Sequence, residues 1–260
     1  MRIDAHVHIA VKDGENPMSR PENVIRAMDE NGIDKIVCFT FGTGLDDQKR
    51  LAEAVAPYRD RMIPLAYVGP REKDCAEQLL YCLDELHFQG VKLHPYVSNF
   101  CVADVVLLRP IFEVLEERES YAVIHCASED FRNHPSMFER LGSCFPNVLI
   151  QMAHMGEVMS TKYAVDVAKR VPNVYLDTAI CSYAAVNRAL ANCPDKVFMG
   201  CDYPFYKFEM EIHKQLLVAR DTGKEQEISN IMGGNFLNAF TIDPDNNIRH
   251  KPFAGTGCGK

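Results

Sequence analysis

Short apolar runs alternate with amphipathic stretches from one end of this chain to the other, and few folds accept that order. The runs fall at 2–9, 35–40, 62–68, 90–94, 122–125, 148–153, 174–177 and 196–201. They are rich in Val, Ile, Leu, Met and Phe with little polar alternation, as parallel strands covered on both faces are. Helical patterns fill the gaps. The first, 21–31, opens with Pro21, spaces Val24, Ile25 and Met28 along one face and stops at Gly32. The others are expected at 46–56, 72–86, 104–117, 135–142, 163–170, 183–192 and 208–220. Eight strands and eight helices in alternation predict an α/β chain folded as a single (β/α)8 TIM barrel. An open doubly wound sheet is the alternative. At 260 residues the length suits one such barrel. No linker or shift in composition divides the chain, so one domain is expected over 1–260. Helical segments at 224–231 and 235–240 form a C-terminal extension, and 241–260 reads as a loosely held tail.

Composition narrows the partners. A net charge of −8 argues against a nucleic-acid partner, because binding a phosphate backbone needs a basic face. A small anionic substrate held by a local cluster remains open. No run approaches the roughly 20 apolar residues of a membrane span, and the N-terminus has no apolar signal region. The ten cysteines include no Cys-x-x-Cys pair. Cys38, Cys126 and Cys201 sit inside apolar runs, where a thiol behaves as a small hydrophobe. Reduced thiols in a cytoplasmic protein are the expectation.

Ionisable residues recur where the strands end, which in a barrel is the catalytic face. The first strand carries His6 and His8, which the two-residue repeat of a strand places on one face. Two imidazoles side by side make half of a metal site. Lys92 and His94 end the fourth strand, His125 the fifth, His154 the sixth and Asp202 the eighth. Each alone has a plainer reading, as a core histidine bonded to a carbonyl or a turn aspartate. Together at one barrel mouth they would be costly to bury without a cation or tight pairing. Asp177, ending the seventh strand, is either a partner orienting a ligand or a loop cap. His87, His213 and His250 read as solvent-facing.

Several stretches match one family together: Ile3-Asp-Ala-His-Val-His8, Gly90-Val-Lys-Leu-His-Pro95, Pro146-Asn-Val-Leu-Ile, His154-Met-Gly156, Gly200-Cys-Asp-Tyr-Pro204 and Gly233-Gly-Asn235. From Ile3 to about Phe240 the chain resembles the amidohydrolase superfamily, in the amidohydrolase-2 branch. That branch holds TIM-barrel metal-dependent hydrolases and the related aminocarboxymuconate-semialdehyde and resorcylate decarboxylases. The resemblance implies that His6, His8, His125 and Asp202 surround one divalent metal, usually zinc, with manganese or iron as substitutes. It implies a catalytic acid/base or electrostatic role for His154, or ligation of a second metal. Dimers are common in the family. Cys201 stands where many relatives have serine, and is expected only to pack. Lys92 stands where a TatD-like nuclease would be expected to carry glutamate. It is read as a substrate-binding residue with His94, or as a carbamylated bridge between two metals.

Such a site implies hydrolysis of an amide, ester or lactone-type bond in a small molecule by a metal-activated water. Asp202 would accept the water's proton and pass it to the leaving group. Non-oxidative decarboxylation of a small carboxylic acid is the alternative on the same frame; a TatD-like nuclease and an inactive metal-binding barrel are the others. Decarboxylating relatives tend to be longer, whereas this chain is compact and has no tryptophan, which tilts the expectation to hydrolysis. Arg132 and His134, in the loop after the fifth strand, are either anion-holding groups or solvated.

Overall fold

A computed structural model describes residues 1–127, 130–157 and 159–253. The strands and helices alternate as the periodicity predicts. They are β1 (Ile3–His8), α1 (Pro21–Asn31), β2 (Lys35–Phe39), α2 (Leu45–Val55), β3 (Met62–Pro64), β4 (Ala66–Tyr67) and α3 (Cys75–Asp84). Then come β5 (Gly90–Leu93), α4 (Val105–Glu117), β6 (Tyr121–His125), α5 (Met137–Cys144), β7 (Leu149–Ala153) and α6 (Thr161–Arg170). β8 (Val174–Asp177), α7 (Tyr183–Asn192), β9 (Val197–Phe198) and α8 (Phe208–Thr222) complete the barrel. Local chemistry sets several helix ends. Pro21 supplies the fixed φ of a first turn, and Gly32, at φ 62°, ends α1 in the left-handed conformation. Asp104 caps α4 by accepting from Leu107 N, and Ser182 caps α7 by accepting from Ala185 N.

All barrel strand pairs are parallel, in the order β1-β2-β3 and β4-β5-β6-β7-β8-β9. The run expected as one strand at 62–68 is broken, because Pro64 has no N–H to give the ladder. The break is bridged: Leu65 N donates to Cys38 O at 2.8 Å and Gln89 N to Pro64 O at 2.9 Å. The strand expected at 196–201 has only Val197–Phe198 in its ladder. Residues 199–203 turn instead onto β1. Ala5 N donates to Met199 O, Asp202 N to His6 O and His8 N to Tyr203 O, each within 2.9 Å, and Val7 bridges Tyr203 in parallel. First and last strands therefore meet, and the barrel closes.

The C-terminal extension departs furthest from expectation. Of the helix expected at 224–231, a 3-10 turn at Glu225–Glu227 forms, followed by a π turn at Asn230–Gly234. α9 (Asn235–Ala239) is present. The stretch expected to be a loose tail is instead a hairpin, β10 (Phe240–Ile242) pairing antiparallel with β11 (Ile248–His250). It closes the N-terminal end of the barrel. Phe240 packs on Tyr121, Phe198 and Phe236, Gln89 Oε1 accepts from Ile248 N, and Asn246 bonds Lys35. The last part of the expected tail, 254–260, lies outside the described residues. Among the described residues no helix is long and apolar enough to cross a membrane, and the nine cysteines are free thiols.

Candidate metal centre

β1 delivers His6 and His8 to the open end of the barrel, with ring centroids 5.9 Å apart. The closing segment delivers Asp202 to them. Its N–H is held by His6 O, and its φ of 64° is a left-handed value that aspartate tolerates better than most residues. Two positions earlier, Gly200 lets the segment approach: a Cβ there would lie 3.1 Å from the His6 Cβ. Asp202 Oδ1 then sits 3.3 Å from His6 Nε2 and 3.1 Å from His8 Nε2.

Asp177 decides which nitrogen of His6 is available. Its Oδ2 accepts from His6 Nδ1 at 2.9 Å and from Gln151 Nε2 at 2.8 Å. Its Oδ1 accepts from His154 N at 2.9 Å and Ala179 N at 3.1 Å. Four donors fill the four lone-pair sites of this carboxylate. Asp177 thus meets both of its readings, orienting His6 and capping the turn that follows β8, and it also falls in a compact group with His6 and His154. Burial pushes its carboxyl up, but the neighbouring His6 and His154 more than offset this and hold its pKa at about 2. With Nδ1–H of His6 given to Asp177, Nε2 presents a lone pair to the cavity.

The set left for a cation is His6 Nε2, His8 Nε2 and Asp202, whose ligand atoms lie within 4.8 Å of one another. Asp202 Oδ1 is buried and accepts no hydrogen bond. A buried carboxylate oxygen facing imidazole nitrogens, with no donor of its own, fits a divalent ion in geometry and in donor type. Burial raises the Asp202 pKa, and His6 and His8 outweigh it, holding the group well below the ordinary carboxylate range.

The remaining expected residues surround the same cavity of about 360 Å3. Lys92 Nζ lies 3.2 Å from His6 Nε2 and 4.5 Å from the centre of the Phe39 ring. Burial lowers its pKa to about 8. His94 and His125 stack at 3.8 Å, and His125 meets His154 edge to face at 4.6 Å. His125 lines the cavity but belongs to neither compact group of ligand atoms. Burial, then the charges of nearby groups, lower the pKa values of both His125 and His154 to about 3, so both rings are neutral.

Sequence reasoning did not single out the opposite wall. Phe41, after β2, stacks on His8 at 4.7 Å, and Phe205, after the closing segment, stands edge-on to both rings. Tyr67 and Ile180 complete it. An aromatic just past a strand end was the only available signal. Arg132 and His134 do not line the cavity. Arg132 is forked onto Asp130 and bonds Asn99, while His134 bonds Ser136. Cys201 is buried, its thiol pushed far up by burial, so it packs as expected.

Solved structures share this fold at low identity. A 5-carboxyvanillate decarboxylase from Sphingomonas paucimobilis is 16% identical, with a TM-score of 0.69 over 90% of this chain and 97% of that one. A probable 2-pyrone-4,6-dicarboxylic acid hydrolase from Acinetobacter baumannii, solved with citric acid, is 14% identical, with 0.64 over 89% and 99%. A zinc-bound amidohydrolase from Burkholderia multivorans is 12% identical, with 0.68 over 91% and 97%. No curated protein matches the sequence. The family model described as amidohydrolase matches residues 3–236, almost the whole barrel and every strand end described above, and the chain belongs to that family.

Proposed function

We propose that the protein is a metal-dependent hydrolase of an amide, ester or lactone-type bond in a small molecule. One observation supports this above the others: the buried Asp202 Oδ1, without a hydrogen-bond donor, lies within 3.3 Å of two imidazole nitrogens at the base of a cavity. His6, His8 and Asp202 hold the ion on this reading, with His125 as the further ligand. A divalent ion bound there, zinc first and manganese or iron as substitutes, acts as a Lewis acid that lowers the pKa of water and polarises a carbonyl.

The chain's own residues supply the proton transfers and the substrate's orientation. Asp202 is ionised at neutral pH and takes the proton of the attacking water, then returns it to the leaving group. His154 donates Nδ1–H to Ala179 O at 3.0 Å, so Nε2 is bare. That makes His154 a proton acceptor, or a ligand if a second ion binds, rather than a donor to an oxyanion. Lys92, largely protonated below pH 8, faces an anionic group of the substrate, with His94 beside it. Phe41, Tyr67 and Phe205 cover its apolar body. The same pairing of Lys92 with aromatic walls also favours a second reading, decarboxylation of a small carboxylic acid.

Elemental analysis of the purified protein is expected to give about one zinc, manganese or iron per chain. Turnover of a panel of carboxylated esters, lactones and amides should be lost on chelation and return with metal. Activity in metal-free protein would sink the reading. Carbon dioxide release from a hydroxybenzoate-type acid, without hydrolysis anywhere in the panel, would replace it with the second.

A further inference from the structure

Which ring nitrogen of His154 carries the proton is settled from behind the barrel wall. A carbonyl oxygen only accepts, so the 3.0 Å contact with Ala179 O requires the proton on Nδ1. Ala179 lies in the turn after β8, between Thr178 and Cys181. The same turn holds Ile180 at φ 60°, a left-handed conformation that is costly for a β-branched residue. Local preference therefore does not give this turn its shape.

α8 does. Lys214 Nζ donates to Thr178 O at 3.0 Å and to Cys181 O at 2.9 Å, bracketing Ala179 and Ile180. Glu211, one turn earlier, pairs with Lys214 at 2.6 Å and accepts from Thr178 Oγ1 at 2.7 Å. Gln215 donates to the same carboxylate. Glu211 is buried, and the Lys214 side chain is nearly so. A buried ion pair is commonly no better for stability than an apolar pair of similar volume. Its presence here is explained by what Lys214 holds.

We propose that the Glu211–Lys214 pair is a positioning device: by clamping the carbonyls of Thr178 and Cys181 it aims Ala179 O at His154 and fixes the Nδ1–H tautomer. For its bearing on catalysis this rests on the role given to His154 above. Neither residue touches the cavity. They act through two backbone carbonyls, one turn and one hydrogen bond.

The test uses full-length, zinc-loaded protein labelled with 15N-histidine, with the His154 signals assigned by their loss in His154→Asn. Wild type is expected to show His154 protonated at Nδ1. The double variant Glu211→Gln/Lys214→Met removes the clamp and leaves no unpaired buried charge. In it the ratio of Nδ1–H to Nε2–H is expected to fall about tenfold, the effect of losing one net hydrogen bond of about 1.4 kcal/mol. A merely structural pair would lower the melting temperature and leave the ratio alone, and that result overturns the proposal. If the double variant does not fold, Lys214→Gln, whose shorter side chain cannot bridge both carbonyls, is read by the same ratio, and no change again overturns it. The readout needs no substrate, so failure of the hydrolase reading and failure of the clamp are seen separately.

Discussion

At the floor of the barrel, Phe198, Phe236 and Phe240 pack with ring centroids no more than 6.2 Å apart, and the β10–β11 hairpin covers them. At the mouth the same strands carry His6, Lys92, His125 and Asp177 among their last three residues. His154, Met155, Ile180 and Asp202 carry left-handed φ values at that end, and at the floor His87, Glu119 and Asn246 do so. Asp202 Oδ1 and His8 Nδ1 have no hydrogen-bond partner at the mouth, and Tyr121 Oη has none at the floor. At the floor Asn235 Nδ2 donates to Pro194 O and Val197 O, and Gln89 ties the hairpin to β5. Strained backbone and unpartnered polar atoms occur at both ends; what separates them is that the mouth gathers titratable side chains around a cavity, whereas the floor is closed by packed aromatic rings.

That division can be broken by exchanging the kinds of damage each end should suffer. The largest effect belongs to the mouth. Asp202→Asn is expected to lower turnover by about 10²–10⁴-fold and to reduce bound metal, with the far-UV circular dichroism spectrum preserved. Undiminished turnover would remove Asp202 from the machinery and with it the reason for its unsatisfied oxygen. Next comes the floor. Phe240→Ala should cost about 3–5 kcal/mol of stability in urea titrations while activity per folded molecule holds. A variant that unfolds no more easily yet loses activity would show that the two ends are not separable.

The smallest effect sharpens the floor's electrostatics. Lys196 donates to Pro172 O and lies 4.2 Å from the centre of the Tyr175 ring, and burial lowers its pKa to about 8. An unfolded lysine keeps its proton to about pH 10.4. Between those values the unfolded chain binds more protons than the folded one, so this group's contribution to stability rises with pH. Below pH 8 both states are protonated and its contribution is flat. Lys196→Met should therefore remove part of the upward slope between pH 8 and 10 and change nothing in the slope below it. Parallel slopes for the two proteins across that range would show that Lys196 is not desolvated.

The order of elements was legible because strand and helix periodicities are local. Helices at Pro21–Asn31 and Tyr183–Asn192 and the strand Val174–Asp177 begin and end where the pattern places them. The hairpin was missed because its strands have three residues each, too short to show a period. Asp243-Pro-Asp-Asn-Asn247, a dense cluster of turn residues, was the signal for it. At the site, the strand-end histidines and Asp202 were visible because parallel strands deliver their last residues to one place. The orienting role of Asp177 could be named only as one of two readings, because it depends on four donors from β1, β7 and the turns beyond. The Glu211–Lys214 pair left no trace beyond an ordinary amphipathic helix.

The hydrogen bond from Asp202 N to His6 O closes the barrel and also sets the aspartate beside the histidine. During synthesis His6 and His8 leave the ribosome with the first strand, and their partner follows only when nearly the whole barrel has been made. Domains generally fold as units as the chain emerges. A nascent or truncated chain lacking the last strand therefore offers a metal the two imidazoles without the carboxylate of Asp202. On the proposed reading of the site, tight loading waits for the ends of the barrel to meet, and a bound ion would be a mark of a finished fold.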